Sequence, residues 1–223
     1  MFTLRLKLNS SVGLSCQLLS HNNSASDTKG GNNLSLANGA GFTTTSRVGS
    51  HALTLNSGST QFASVASAFN FTSGAFTFSF WLRLNSLSTP SPTQGPVVFF
   101  KGSYQVNGYY LQVSEAGQIS FLTNQAGTSQ SSRSSENLVI NKWYHLAIVR
   151  NGSSVKIYIN GADRTTPAVH SNPVSSSDDF AIGRYASSSI LTSGQIDEFT
   201  VWSSALTEIE VRKIFDQQSC GRN

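Results

Sequence analysis

From Phe76 to Leu84 the chain reads FTFSFWLRL, in which Phe76, Phe78, Phe80, Leu82 and Leu84 alternate with Thr77, Ser79, Trp81 and Arg83. A repeat of two sends successive side chains to opposite faces of an extended strand, so one face of this run is built for a core. Val155, Ile157 and Ile159 alternate in the same way with Lys156, Tyr158 and Asn160. Asn-Gly steps at 151–152 and 160–161 flank that run, and this pair readily supplies the positive φ angles of a hairpin turn. Segments 143–150, 154–160 and 163–169 are therefore expected to form a meander. Further strands are expected at 2–8, 14–19, 51–56, 61–65, 96–101, 108–114, 117–123, 179–183 and 195–202. The Ser/Thr-rich stretches 86–95 and 125–136 read as long surface loops.

One helix interrupts this pattern. Thr207 is followed three residues later by Glu210, the spacing of a capping box, and Leu206 and Val211 can staple the first turn. A short helix over 208–217 follows, with Val211, Ile214 and Phe215 turned to a sheet edge. Many strands and one helix give an all-β fold, two antiparallel sheets packed as a jelly-roll sandwich. At 223 residues, 38% of them hydrophobic, the chain fits one large sandwich.

The net charge of +4 reflects few acids: 11 Asp and Glu stand against 15 Lys and Arg, and the cations are scattered singly. A nucleic-acid binder would cluster them, so that class is set aside. No apolar run reaches the length of a membrane span. The N-terminal MFTLRLKLNSSVGLS alternates and does not read as a signal peptide. Export by another route, release by lysis, and removal of a signal upstream all stay open. Cys16 and Cys220 are the only cysteines. They pair if the chain ends meet; two free buried thiols are the alternative.

FTFSFWLRL (76–84), NKWYHLAIVRNGSSVKIYINGA (141–162), FAIGRY (180–185) and GQIDEFTVWSSALTEIEVRKIF (194–215) together resemble laminin G-like domains of the concanavalin A-like lectin/glucanase superfamily. The resemblance covers residues 14–217, leaving 1–13 as an extension and 218–223 as a tail. It implies a curved two-sheet sandwich. Relatives bind glycans, proteins or lipids, and some are hydrolases, so the fold alone does not fix the function.

Asp197 and Glu198 stand side by side in a chain that is only 12% charged. A retaining glucanase of this superfamily would carry Glu-x-Asp-x-x-Glu or Glu-x-Asp-x-Glu, acids on one strand face at catalytic separation. Adjacent residues point to opposite faces, so this pair is not expected to cooperate. Glu208 and Glu210 belong to the helix, and Glu115 and Asp163 stand alone at turns. The four histidines have no metal-ligand spacing, and His145 reads as a half-buried structural residue. No enzyme is expected. By resemblance, Asp27 in the first loop and Asp197 match positions that hold calcium in relatives. The alternative, which we favour, is that Asp197 or Glu198 bonds to backbone amides of the 24–33 loop without an ion, and no cofactor is required.

Sugar binding needs aromatic platforms with polar groups aimed at hydroxyls. The candidates are Tyr104, Tyr109 and Tyr110, Trp81 with Arg83 on the polar face of their strand, and Arg184 with Tyr185, with Tyr104 and Tyr185 foremost. Trp81, Trp143 and Trp202 read as core or helix-packing residues. Phe2, Leu4, Leu6 and Leu8 alternate with polar residues, an amphipathic strand able to join the sheet edge of another subunit. The favoured expectation is a non-catalytic attachment module exposed on a virus or phage particle, meeting a cell-surface glycan. A secreted soluble lectin, with or without calcium, is the alternative, and a glycan hydrolase comes last.

Overall fold

The computed structural model describes residues 14–17, 24–27, 31–89, 94–186 and 190–220. The expected Phe2–Leu8 strand, the rest of the 1–13 extension and residues 221–223 lie outside these.

The strands run in chain order as β1 (Leu14–Gln17), β2 (Ser35–Ala37), β3 (Gly41–Thr43), β4 (Ala52–Leu55), β5 (Phe62–Val65) and β6 (Phe76–Leu84). Next come β7 (Val97–Ser103), β8 (Asn107–Val113), β9 (Gln118–Gln125), β10 (Thr128–Asn137), β11 (Tyr144–Asn151) and β12 (Ser154–Ile159). β13 (Ala162–Asp163), β14 (Thr165–Thr166), β15 (Phe180–Ile182) and β16 (Gly194–Trp202) follow, and α1 (Glu208–Ser219) closes the series. They form two antiparallel sheets. The first has the order β13-β12-β11-β6-β16-β4-β3, with β1 also paired to β16; the second has the order β14-β10-β9-β8-β7-β15-β5-β2. No described helix is long and apolar enough to cross a membrane.

The inward faces lock together through aromatic rings. Phe78 stacks on Phe180 at 5.8 Å across the sheets, and within the first sheet Phe80 stacks on Phe199 at 5.1 Å. Phe76, Phe99 and Phe121 are fully buried beside them. Each such side chain contributes roughly 1.5–3 kcal/mol by leaving water.

Two expectations are corrected. The expected loop 125–136 is largely the ten-residue strand β10. Its inward positions are Ser132 and Ser134, which carry no hydrophobic signature. They are buried because their hydroxyls are bonded: Ser132 Oγ lies 2.9 Å from His170 Nε2 and accepts from Ala168 N, and Ser134 Oγ accepts from Ile119 N. The expected strand 163–169 is instead divided between β13, in the first sheet, and β14, in the second, so the chain changes sheets at Arg164.

The helix forms as expected. Thr207 Oγ1 accepts from Glu210 N while Glu210 Oε2 accepts from Thr207 N, closing the capping box. It lies on the outward face of the first sheet, where Val211 and Ile214 pack with Trp202, Ala147, Val149 and Tyr158. Trp81 faces Phe215 at 5.8 Å and donates from Nε1 to Gln218 Oε1. His145 is not half-buried but fully buried, bonded to Ser79 Oγ. Burial lowers its pKa to about 3, so it stays neutral. Cys220 is a free, exposed thiol just past the helix, so it is neither paired with Cys16 nor buried. Of Cys16 only the backbone is described, in β1.

Candidate functional site

The outward face of the second sheet has no helix on it among the described residues. It carries its own apolar cluster: Val97, Phe100, Tyr110 and Ala181 are buried, with Leu122, Tyr185 and Ile190 half-buried around them. Tyr185 lies over this floor, 4.8 Å from the Phe100 ring and 5.4 Å, edge-on, from that of Tyr110. Its hydroxyl accepts from the backbone N of Tyr104 at 2.7 Å, which draws the 103–106 turn toward the same spot. Just past the turn, Gly108 lets β8 approach β7 closely: its φ is 71°, and a Cβ there would meet Lys101 O at 1.9 Å.

Tyr104, Tyr110 and Tyr185 thus line one groove of about 410 Å³, together with Gln94 and Gln112. That volume is typical of small-ligand sites. Tyr104 is 48% exposed and presents its ring to solvent. Gln112 donates one amide N–H to Gly95 O, which fixes the orientation of the group. Burial, then the neighbouring Tyr185 and Tyr104, hold the Tyr110 hydroxyl well above the usual tyrosine range. The groove offers ring faces for C–H groups and amides for hydroxyls, with no carboxylate, histidine or cysteine among the described residues that line it.

Four candidates do not join it. Trp81 and Arg83 stand on β6 of the other sheet. Tyr109 faces the core, 1% exposed, and donates its hydroxyl to Phe69 O. Arg184 places its guanidinium 3.6 Å from the ring of Phe62 in β5, away from the groove. The alternation of Tyr109, Leu111 and Val113 against Tyr110 and Gln112 separates the two tyrosines, and it also carries Gln112, which sequence reasoning missed. Gln94 and Ile190 lie in loops and leave no such signal.

The acid pair sits on the other sheet. Asp197 pairs with Trp81 and Thr200 with Ser79, so β16 holds one residue more than β6 between those points. Glu198 takes up the extra length with φ 52°. This β-bulge breaks the alternation that was expected to part the two acids. Burial is what removes them from any groove: Asp197 is 1% and Glu198 2% exposed. On the same edge of β16, Ile196 still pairs with β4, whereas Thr200 already pairs with β1. The bulge therefore marks a change of neighbours. Asp197 supports it by accepting from Arg47 N and Val48 N through Oδ2 and from Glu198 N through Oδ1. For Asp197 the described bonds outside its own strand go to residues 47–48 and not to the 24–33 loop. Burial pushes the Asp197 carboxyl up to about 6, the Glu198 charge adding to this and the three amides opposing it. Asp27 accepts from Asn32 N within its own loop. Among the described residues no group of three or more His, Cys, Asp or Glu is placed to hold a metal.

Among the described residues, one outer face of the sandwich is covered by α1 and the other is open around an aromatic groove. The laminin G family model of the concanavalin A-like lectin/glucanases superfamily matches residues 56–212, and the chain belongs to that family. No curated protein sequence matches it at a significant level. Among solved structures it is similar to the binding domain of Paraclostridial Mosquitocidal Protein 1, with TM-score 0.75 and 19% identity over 92% of this chain and 52% of that one. Domain 4 of AbnA, a GH43 extracellular arabinanase from Geobacillus stearothermophilus solved with arabinotriose, gives TM-score 0.73 and 18% identity over 91% and 98%. The botulinum neurotoxin serotype D ligand-binding domain, solved with N-acetylneuraminic acid, gives TM-score 0.70 and 19% identity over 92% and 51%. The chain thus spans about half the length of the toxin domains it matches. At these identities the likeness establishes the fold.

Proposed function

We propose that this protein is a non-catalytic glycan-binding module acting through the groove between Tyr104, Tyr110 and Tyr185. The convergence of three tyrosines with two glutamine amides on an uncovered sheet face carries the reading. The solved relatives support it, since two of them were determined with a sugar bound. The absence of a carboxylate among the described residues that line the groove, and the burial of Asp197 and Glu198, argue against glycoside hydrolysis there. The groove as built calls for no cofactor. The setting we favour is the surface of a virus or phage particle, with the Phe2–Leu8 alternation as the docking strand; a secreted soluble lectin is the alternative.

A glycan array read with and without EDTA tests the reading. The expected signal survives EDTA and disappears in Tyr104→Ala and Tyr185→Ala. An unchanged signal in both variants would overturn the site, and a signal abolished by EDTA would bring calcium back. Purification from the native source settles the setting: recovery apart from capsid or tail proteins would remove the particle.

A further inference from the structure

The groove does not end at its tyrosines. Across the second sheet the registers are continuous: Val97 pairs with Gln112, Gln112 with Ser120, and Ser120 with Arg133. Residues paired in this way share a face. That face is the outer one, because the flanking Leu111, Val113, Ile119 and Phe121 fill the core while Ser132 and Ser134 turn inward on either side of Arg133. A parallel row above it joins Phe100, Tyr110, Leu122 and Ser131. The open face therefore consists of an aromatic row beside a row of amide, hydroxyl and guanidinium.

Arg133 is exposed and has no acidic partner among the described residues. The other arginines on sheet surfaces are engaged: Arg83 bonds Asn85 and Gln195, and Arg164 pairs with Glu136. Neither row carries an acid; Glu115 lies in the turn beyond the end of β8. Two strand spacings separate Gln112 from Arg133, about 10 Å between backbones. A ligand seated on the tyrosines must extend past a single sugar ring to meet the guanidinium.

We infer that the ligand is a linear oligosaccharide lying across the strands and bearing a carboxylate or sulfate, which Arg133 receives while the tyrosines hold the neighbouring ring. This rests on the glycan reading above. A guanidinium fork suits an oxyanion in two-point contact, and such a charge-assisted bond confers about tenfold in affinity.

The test is an array of matched linear oligosaccharides, neutral and acidic, including oligogalacturonate against its methyl ester and chondroitin against chondroitin sulfate. The expected result is that acidic members bind about tenfold more tightly than their neutral counterparts. Arg133→Gln should remove that preference and Arg133→Lys restore part of it. Arg212→Gln, on the helix and paired with Asp216, should keep it. Binding that ignores the acid, or a preference that survives Arg133→Gln, overturns this inference and leaves the glycan reading standing. No binding to any member overturns both.

Discussion

On the first sheet, Trp81, His145 and Trp202 point outward and α1 lies on them. On the second, Phe100, Tyr110 and Tyr185 point outward, with neither helix nor strand of the described chain above them. The two faces are alike in aromatic content and differ in what happens to their polar atoms. Under the helix several are bonded inside the molecule, Trp81 Nε1 to Gln218, His145 Nε2 to Ser79, and both Asp197 oxygens to backbone amides, while Trp202 Nε1 and His145 Nδ1 are buried without a hydrogen-bond partner. On the open face Gln112 and Arg133 keep hydrogen-bonding capacity directed at solvent. An aromatic sheet face is a core surface when a helix follows to cover it, and a binding surface when none does.

The comparison can be broken hardest at Trp81. Trp81→Ala empties a site packed by Phe215, His145 and the Arg47 guanidinium, and should cost about 3–5 kcal/mol in urea denaturation. Asp197→Ala leaves the amides of Arg47, Val48 and Glu198 without their acceptor. It should cost about 3 kcal/mol, read by the same method. A smaller loss would mean that β16 changes neighbours without help from this carboxylate.

Acid should next distinguish the interior from the open face. The buried imidazoles of His145 and His170 are held neutral, their pKa values lowered by burial to about 3 and about 4. Unfolding releases them toward the usual 6.5, so the unfolded chain gains two protons and stability is lost as pH falls below that value. Asp197 works oppositely: raised to about 6, it takes a proton in the folded state first and recovers stability on acidification. One net proton remains, so stability should fall by about 1.4 kcal/mol per pH unit between about pH 6 and about pH 4. A stability curve flat or rising over that interval would contradict these assignments. Glycan binding, in a groove lined by no acid or histidine among the described residues, should stay constant from about pH 5 to about pH 8. The smallest effect belongs to Tyr104→Ala, which should change stability by less than about 0.5 kcal/mol while removing glycan binding.

These faces were unequally legible in the sequence. Period-two runs and Asn-Gly turns gave the sandwich, and Thr207 with Glu210 gave the helix, because local chemistry decides both. β10 was hidden because Ser132 and Ser134 enter the interior through hydrogen bonds supplied by residues far along the chain. The bulge at Asp197 was hidden because no glycine marks its positive φ. Tyr104 and Tyr185 stand out in the sequence as ring platforms, but the groove around them brings together segments far apart in the chain, which no spacing in the sequence records. Tyr109 belongs to the core, as its alternation with Leu111 and Val113 indicates.

Amide hydrogen exchange, with and without the tightest-binding glycan of the array, tests the open face most directly. Protection is predicted at 97–104, 108–112 and 184–186, with none added at 205–215. Protection confined to the helix-covered face, or no glycan bound at all, would contradict the account.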